Sequence, residues 1–269
     1  MQKYSRNSRI SAITKILIEN PNKIMSLNHF SEMLNAAKST ISEDILVIRE
    51  IMETLEMGKI ETIAGATGGV RYLARIGEEE ENAFAKSICE TLRDKSRIVP
   101  GNFLYITDIM LDPAIVHRAG VILASKFSKA KADYVITVET KGIPLAYEVA
   151  RYLGVPLIVA RKNSKVTEGT SVTINYVSGT TGRLGNMGLA KRTLKTASRY
   201  LFIDDFLRAG GTVNGIADLL NEFDSQLIGI GVLVDNKEVI KKLPTPYISL
   251  VDYHGVDENG DVVMEVSER

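Results

Sequence analysis

Residues Leu201 to Gly215 read LFIDDFLRAGGTVNG. Tyr200 to Ile203 is an apolar run, short enough for a buried parallel strand. Two carboxylates, Asp204 and Asp205, stand together at its end. Phe206, Leu207 and Arg208 lead on to Ala209, Gly210, Gly211 and Thr212, and then a helix begins. Two glycines let backbone N–H groups turn inward with no Cβ in the way. Such a nest at a helix N-terminus holds a phosphate, and Thr212 adds a hydroxyl donor. Carboxylates repel phosphate but accept hydrogen bonds from vicinal hydroxyls. Sugar ahead and phosphate behind is the geometry of a ribose 5-phosphate. Two acids at a strand end are alone no more than a helix cap in a generic strand-turn-helix; strand, Asp-Asp, AGGT and helix together are far more specific. The stretch is neither GxGxxG nor GxxxxGK[ST], which disfavours dinucleotide or Walker-type binding.

Outward from this stretch, from about Asp112, helices and strands alternate. Helices are expected at Val116–Lys126, Pro144–Leu153 and Val213–Phe223, and strands at Tyr134–Val138, Val155–Ala160, Tyr200–Ile203 and Leu227–Val234. Val172–Val177 with the following SGTTGRLGNMG is a hairpin or a mobile loop. Repeated strand-helix units imply a parallel sheet with helices on both faces, and ligands on such sheets bind at the strands' carboxyl ends. The strand at Tyr134–Val138 ends in Glu139-Thr140-Lys141-Gly142, a small loop opening a helix. Backbone donors and Lys141 could hold a pyrophosphate there, although a strand-Lys-Gly-helix turn is mundane by itself. Arg161 and Lys162 end the next strand and face the same rim. They balance an acidic ligand or form a solvated surface pair, as do Lys191 and Arg192.

The N-terminal part differs. Ile10, Ile13, Ile16 and Leu17 recur at helical spacing between Ser5 and Asn20, and Pro21 stops that helix. Ser26 can cap a short helix with Leu27, Phe30 and Leu34 inward. A turn at Asn35-Ala36-Ala37 precedes a third helix opened by Ser39, with Asp44 in its early turns favouring the positive helix end. Lys59–Ile63 and Val70–Leu73, joined through glycines, read as a hairpin. Helix, helix, turn, helix, hairpin is the order of a winged helix-turn-helix. Lys3, Arg6, Arg9 and Lys15 form an arm without an acid, suited to phosphates. Lys38, Ser39, Thr40 and Ser42 are short or cationic groups able to enter a major groove. Lys59 and Arg71 would flank the wing, with Thr67 near its tip; Glu43 and Asp44 are less inviting. A three-helix oligomerisation module is the other reading of these residues.

The acidic break Gly77–Glu81 suggests domains at 1–75 and 76–269. A helix is expected at Glu81–Lys95, and a short strand or arm at Phe103–Ile106. The 269 residues are 45% hydrophobic and 25% charged, a soluble composition with material for a sizeable core. Lys plus Arg equals Asp plus Glu at 33 each, so no net charge points to nucleic acid, and a local patch would have to bind it. A single cysteine, Cys89, favours a reducing compartment and reads as a small buried side chain. No signal peptide and no span of about 20 apolar residues is present, so a cytoplasmic protein without membrane contact is expected.

Leu201–Gly215 resembles the phosphoribosyltransferase signature, which grips the ribose hydroxyls and 5-phosphate of phosphoribosyl pyrophosphate (PRPP). The whole chain resembles a more particular family, the purine operon repressors of Gram-positive bacteria. AKSTISED, AGATGGVRY, TKGIPLA, VPLIVARKNSKVTEGTSVTINYVSG, LAKRTLKT and IDDFLRAGGTVNG carry the resemblance along nearly its whole length. It implies an α/β chain: an N-terminal winged helix-turn-helix, then a type I phosphoribosyltransferase-like domain with a parallel sheet flanked by helices. It implies a homodimer on double-stranded purine-box operators, with PRPP as effector, with or without Mg, and no required cofactor. Tyr105, Thr140 to Gly142, Arg161, Lys162 and Asp204 to Thr212 would line the effector pocket. Many members carry Lys where Arg208 stands. Two functions follow: a regulator that senses PRPP and catalyses nothing, which the winged helix favours, or a purine phosphoribosyltransferase with an N-terminal extension.

Overall fold

The Ser5 hydroxyl accepts from the Ser8 N–H at 3.2 Å and so starts α1, Arg6–Glu19. The computed structural model describes residues 3–65, 67–101, 103–161, 171–177, 184–190 and 195–268. They divide into two compact units, Met1–Glu78 with Arg151–Gly154, and Glu79–Ala150 with Val155–Arg269.

In the first unit Ser26 caps α2, Leu27–Leu34, by accepting from His29 N–H. Asn35, in the left-handed region at φ 47°, ends it, a conformation Asn tolerates well. The next helix, α3, is Lys38–Thr54. Its cap is Ala37, with no side-chain cap bond, so Ser39 lies inside the helix rather than opening it. Strands β1, Lys59–Ile63, and β2, Gly69–Leu73, pair antiparallel, and Met25 bridges Val70 from the far side. Gly69 is required there, because a Cβ would run into the Met25 carbonyl. Ile13, Leu17, Phe30, Ile41 and Ile48 are fully buried and tie the three helices together. This is the winged arrangement expected.

The second unit opens with α4, Glu78–Leu92. Glu78 to Glu81, expected as a break, form its first turn, where acids complement the helix dipole. A single 3-10 turn, Lys95–Arg97, leads into the pair β3, Ile98–Val99, and β4, Phe103–Leu104. Helices α5, Thr107–Leu111, and α6, Pro113–Lys126, follow; Asp112 caps α6 on the N–H groups of Ala114 and Ile115, with Pro113 at the first position. Then come β5, Tyr134–Val138, α7, Ile143–Leu153, and β6, Leu157–Ala160. β7, Ser171–Val177, and β8, Leu184–Ala190, form an antiparallel hairpin. The chain continues with β9, Arg199–Leu207, α8, Gly211–Asn221, β10, Gln226–Asn236, β11, Tyr247–Val256, and β12, Val262–Val266.

The sheet runs β12-β11-β10-β9-β5-β6, parallel throughout except for β12. It differs from expectation twice. β9 passes through both aspartates to Leu207, because Val232 and Val234 of β10 pair with Asp204 and Phe206. β11 and β12 were not foreseen at all. Val213, Ile216 and Leu220 of α8 bury against Phe202, Ile230 and Val232, so the sheet holds the helix N-terminus at its carboxyl edge.

Candidate functional site

The carboxyl ends of β5, β9, β10 and β11 open into one cleft of about 530 Å³. β5 contributes Thr140 and Lys141 from its following loop; the Glu139–Thr140 peptide is cis. β9 contributes Asp204 and Asp205, and the loop after it Arg208. Gly142 brings the loop after β5 against β9. A Cβ at that position would collide with the Asp204 carboxylate and crowd the Thr137 hydroxyl. Asp204 Oδ1 accepts from the Asp205 N–H at 2.9 Å.

Behind the aspartates a smaller hollow of about 50 Å³ is lined by Leu207, Arg208, Ala209, Gly210, Gly211 and Thr212. Gly210 adopts φ 81° as the cap of α8, a conformation costly to any residue with a Cβ. The first N–H groups of a helix have no acceptor within it, so this hollow offers donors to an anion. Leu243 covers Gly210 from outside. The stretch from Lys237 to Leu243 is anchored by Asp235, whose buried carboxylate meets Lys237 at 2.9 Å, Lys241 at 2.8 Å and the Tyr247 hydroxyl at 2.8 Å. Burial would raise the Asp235 pKa; the bonds from Lys241, Lys237 and Tyr247 outweigh it and hold the carboxyl below its ordinary value.

Tyr105, expected in the site, is half exposed and lines the cleft together with Phe103, Leu104 and Ile106. Arg161 lies to the side. Its backbone bridges Gly188, and its guanidinium meets Glu139 at 3.2 Å at the base of the Thr140 loop. Lys162, Lys191 and Arg192 lie outside the described residues. Lining residues that were not foreseen include Phe103, Asn236, Glu238 and Tyr253. Asn236 ends β10, the neighbour of β9, and Tyr253 lies on β11, one strand further, so the rule that ligands meet strand carboxyl ends finds both once β10 is carried to Asn236 and β11 is recognised. Burial raises the Tyr253 pKa, and the nearby Glu238 adds to it while Arg208 opposes, so the phenol stays protonated.

In the first unit Lys38, Ser39 and Ser42 are exposed at the start of α3, and Thr40 is half-buried. Lys38 and Ser42 line a groove of about 440 Å³ that continues to Thr62, Gly65 and Gly68 of the hairpin. Arg49, not foreseen, joins helix to wing by donating to Ile60 O at 3.1 Å and Thr62 Oγ1 at 2.6 Å. Thr67 is exposed at the hairpin turn. Arg6 is 60% exposed, 3.6 Å from Asp44. Arg9 departs from the expectation of a phosphate contact: it is buried and forks onto Asp44 at 2.7 and 3.2 Å. Asp44 is therefore an interior ion-pair member, 1% exposed, rather than a dipole partner. Arg71 is likewise occupied by Glu61 and Asn22, and Lys59 by Glu61. The Arg71 bond is the main reason the Glu61 carboxyl lies below its ordinary pKa.

A mainly parallel sheet with an Asp-Asp strand end and an anion hollow is a phosphoribosyltransferase-type domain, here joined to a winged helix. Residues 5–74 match the family described as bacterial purine repressor, N-terminal, and residues 107–259 the phosphoribosyl transferase domain. The purine biosynthesis transcriptional repressor PurR of Bacillus subtilis (strain 168) is 44% identical over 93% of this chain and 87% of its own. The purine biosynthesis transcriptional activator PurR of Lactococcus lactis subsp. lactis (strain IL1403) is 38% identical over 94% and 93%. Adenine phosphoribosyltransferase from Thermoanaerobacter pseudethanolicus superposes with a TM-score of 0.52 at 21% identity, over 61% of this chain and 99% of that one, which shows the shared fold. The chain belongs to the bacterial family of purine biosynthesis transcriptional regulators. Among the described residues, no helix is long and apolar enough to cross a membrane.

Proposed function

We propose that the protein is a cytoplasmic, homodimeric regulator that binds purine-box DNA through its winged helix and reads PRPP in the cleft, without transferring the phosphoribosyl group. The observation that carries the effector half is the contact of Gly142 with Asp204. It supports a reading in which the Thr140–Lys141 loop would take the pyrophosphate, the carboxylate pair the ribose hydroxyls, and the hollow of Arg208 to Thr212 the 5-phosphate. Tyr105 would close the cleft, and Arg161 and Lys162 would add positive charge at the rim. Any Mg would ride on the ligand's pyrophosphate.

For DNA, exposed Lys38, Ser39 and Ser42 would meet base edges or phosphates, with Thr40 beside them, and Arg6, Lys59 and Thr67 would meet the backbone. Arg9 and Arg71 would instead hold the unit's shape. Relatives are named both repressor and activator, so the sign of control is to be measured. The enzyme alternative draws on the cleft itself, whose lining includes the aromatic rings of Phe103, Tyr105, Phe206 and Tyr253.

Three measurements test this function. PRPP should change binding to the protein's own upstream operator or transcription from it; no effect of either kind would sink the sensor. Pyrophosphate release from PRPP with purine bases should not exceed background; turnover would establish the enzyme. Asp204→Ala should abolish the PRPP response and spare DNA binding, while Lys38→Ala should weaken DNA binding and lower the salt slope by about 1.

A further inference from the structure

The wall of the cleft made by Phe103 to Ile106 rests on very little secondary structure. β3 and β4 pair through two residues each, Ile98 with Leu104 and Val99 with Phe103. A ladder that short does not hold itself in water. Something else must fix it, and Arg97, at the end of the 3-10 turn, is placed to do so.

Arg97 Nε donates to Thr91 O of α4 at 2.9 Å. Its Nη1 donates to Tyr105 O at 3.1 Å and to Asp108 Oδ1 at 2.8 Å, and Nη2 donates to Asp108 Oδ2 at 2.8 Å. The Arg97 carbonyl in turn accepts from the Tyr105 N–H at 2.7 Å. One residue thus grips both backbone groups of Tyr105 and joins them to α4 and α5. Its side chain is 15% exposed, against 48% for Asp108. Asp108 lies below its ordinary carboxylate pKa chiefly because of the bond from Arg97, so the pair stays charged across the neutral range. Neither residue lines the cleft, while Val99, Phe103, Leu104, Tyr105 and Ile106 all do.

We propose that Arg97, clamped by Asp108, is a positioning residue that fixes the Phe103–Ile106 wall of the cleft and thereby sets affinity for a ribose-pyrophosphate ligand. This rests on the effector function proposed above. The planar fork is essential, since an ammonium has one charge centre and cannot serve Thr91 O, Tyr105 O and both Asp108 oxygens at once.

The full chain is tested as wild type, Arg97→Lys, Arg97→Ala and Asp108→Asn. Two readouts are taken: hydrogen exchange at the Tyr105 amide without ligand, and PRPP affinity by titration calorimetry. All three variants should speed Tyr105 exchange and weaken PRPP binding by about tenfold, as expected when a short ladder loses its charge-assisted support. Asp108→Asn is the sharp arm. It makes the domain more positive, so if Arg97 acted on the acidic ligand by charge, affinity would rise. Affinity at or above wild type in Asp108→Asn overturns the proposal, and so does full rescue by Arg97→Lys. Unchanged Tyr105 exchange in every variant shows that no clamp exists. If the wild type binds no PRPP, the effector function fails and the role in affinity falls with it. The exchange data then still decide whether Arg97 holds the wall, and DNA binding by each variant identifies misfolding.

Discussion

The Arg208 guanidinium lies over the Phe103 ring, 4.6 Å from its centroid. Arg208 belongs to the loop after β9 and Phe103 to β4, so the stack joins the hollow before α8 to the opposite wall of the cleft. A planar, weakly hydrated cation suits that stack better than lysine does. Phe103→Ala should remove about 0.5–1 kcal/mol of cation–π attraction and lower PRPP affinity by a few fold. Arg208→Ala should lower it further, since the phosphate also loses a cation. Calorimetric titration checks both, and equal effects of the two variants would mean that Arg208 serves only the stack.

Gly142→Ala should separate the Thr140–Lys141 loop from the Asp204 carboxylate, because its Cβ has no space against either Asp204 or Thr137. Overpacking of this kind costs about 1–3 kcal/mol. The expected result is a lower melting temperature with PRPP binding lost and operator binding retained. Wild-type PRPP affinity would disprove the close approach of the two loops.

Arg9→Ala should strongly destabilise the winged helix, by about 3–5 kcal/mol, because it strips a buried charge of its main partner. Asp44 would keep only the longer contact to the exposed Arg6. Urea unfolding of the full chain followed by circular dichroism measures the loss. The double change Arg9→Met with Asp44→Leu should recover most of it, since both charges then leave the interior together. Loss of DNA affinity with unchanged stability would instead return Arg9 to the DNA contacts.

Cys89 is 2% exposed, and burial pushes its thiol up to about 11. Between pH 9, the ordinary thiol value, and about 11 the unfolded chain loses this proton while the folded chain keeps it. The folded state then binds more protons, so stability falls as pH rises through that window. Cys89→Ala should melt with a smaller decline between pH 8 and pH 10.5 than wild type. The native thiol should also resist iodoacetamide at pH 8, as a buried protonated thiol does. Rapid alkylation of the folded protein would contradict both.

Local pattern was enough for much of this chain. Ser26 as a cap, Asn35 in a turn, Tyr134–Val138 as a strand and the glycines before α8 all act through neighbours a few residues away. Failures came where the partner is distant. The end of β9 was misplaced because Asp204 and Phe206 are strand residues only by virtue of Val232 and Val234. β11 was missed because its interior is partly polar. Ser249 and Asp252 are buried there, satisfied by Ser267 and Lys237, and they interrupt the apolar run that marks a parallel strand. Arg9 and Arg71 were read as free cations because their acids, Asp44 and Glu61, lie 35 and 10 residues away.

Sequence by itself determined the two-part plan, the family and the glycine-led helix start within Leu201–Gly215, because helical period, strand runs and glycine freedom are local properties of the chain. Tertiary structure alone decided which charges remain available. Whether a cation is spent inside the protein or offered to a ligand depends on where a carboxylate from another element comes to rest. It also decided that Gly142 touches Asp204, and so that two modest loops, far apart in the chain, become one cleft.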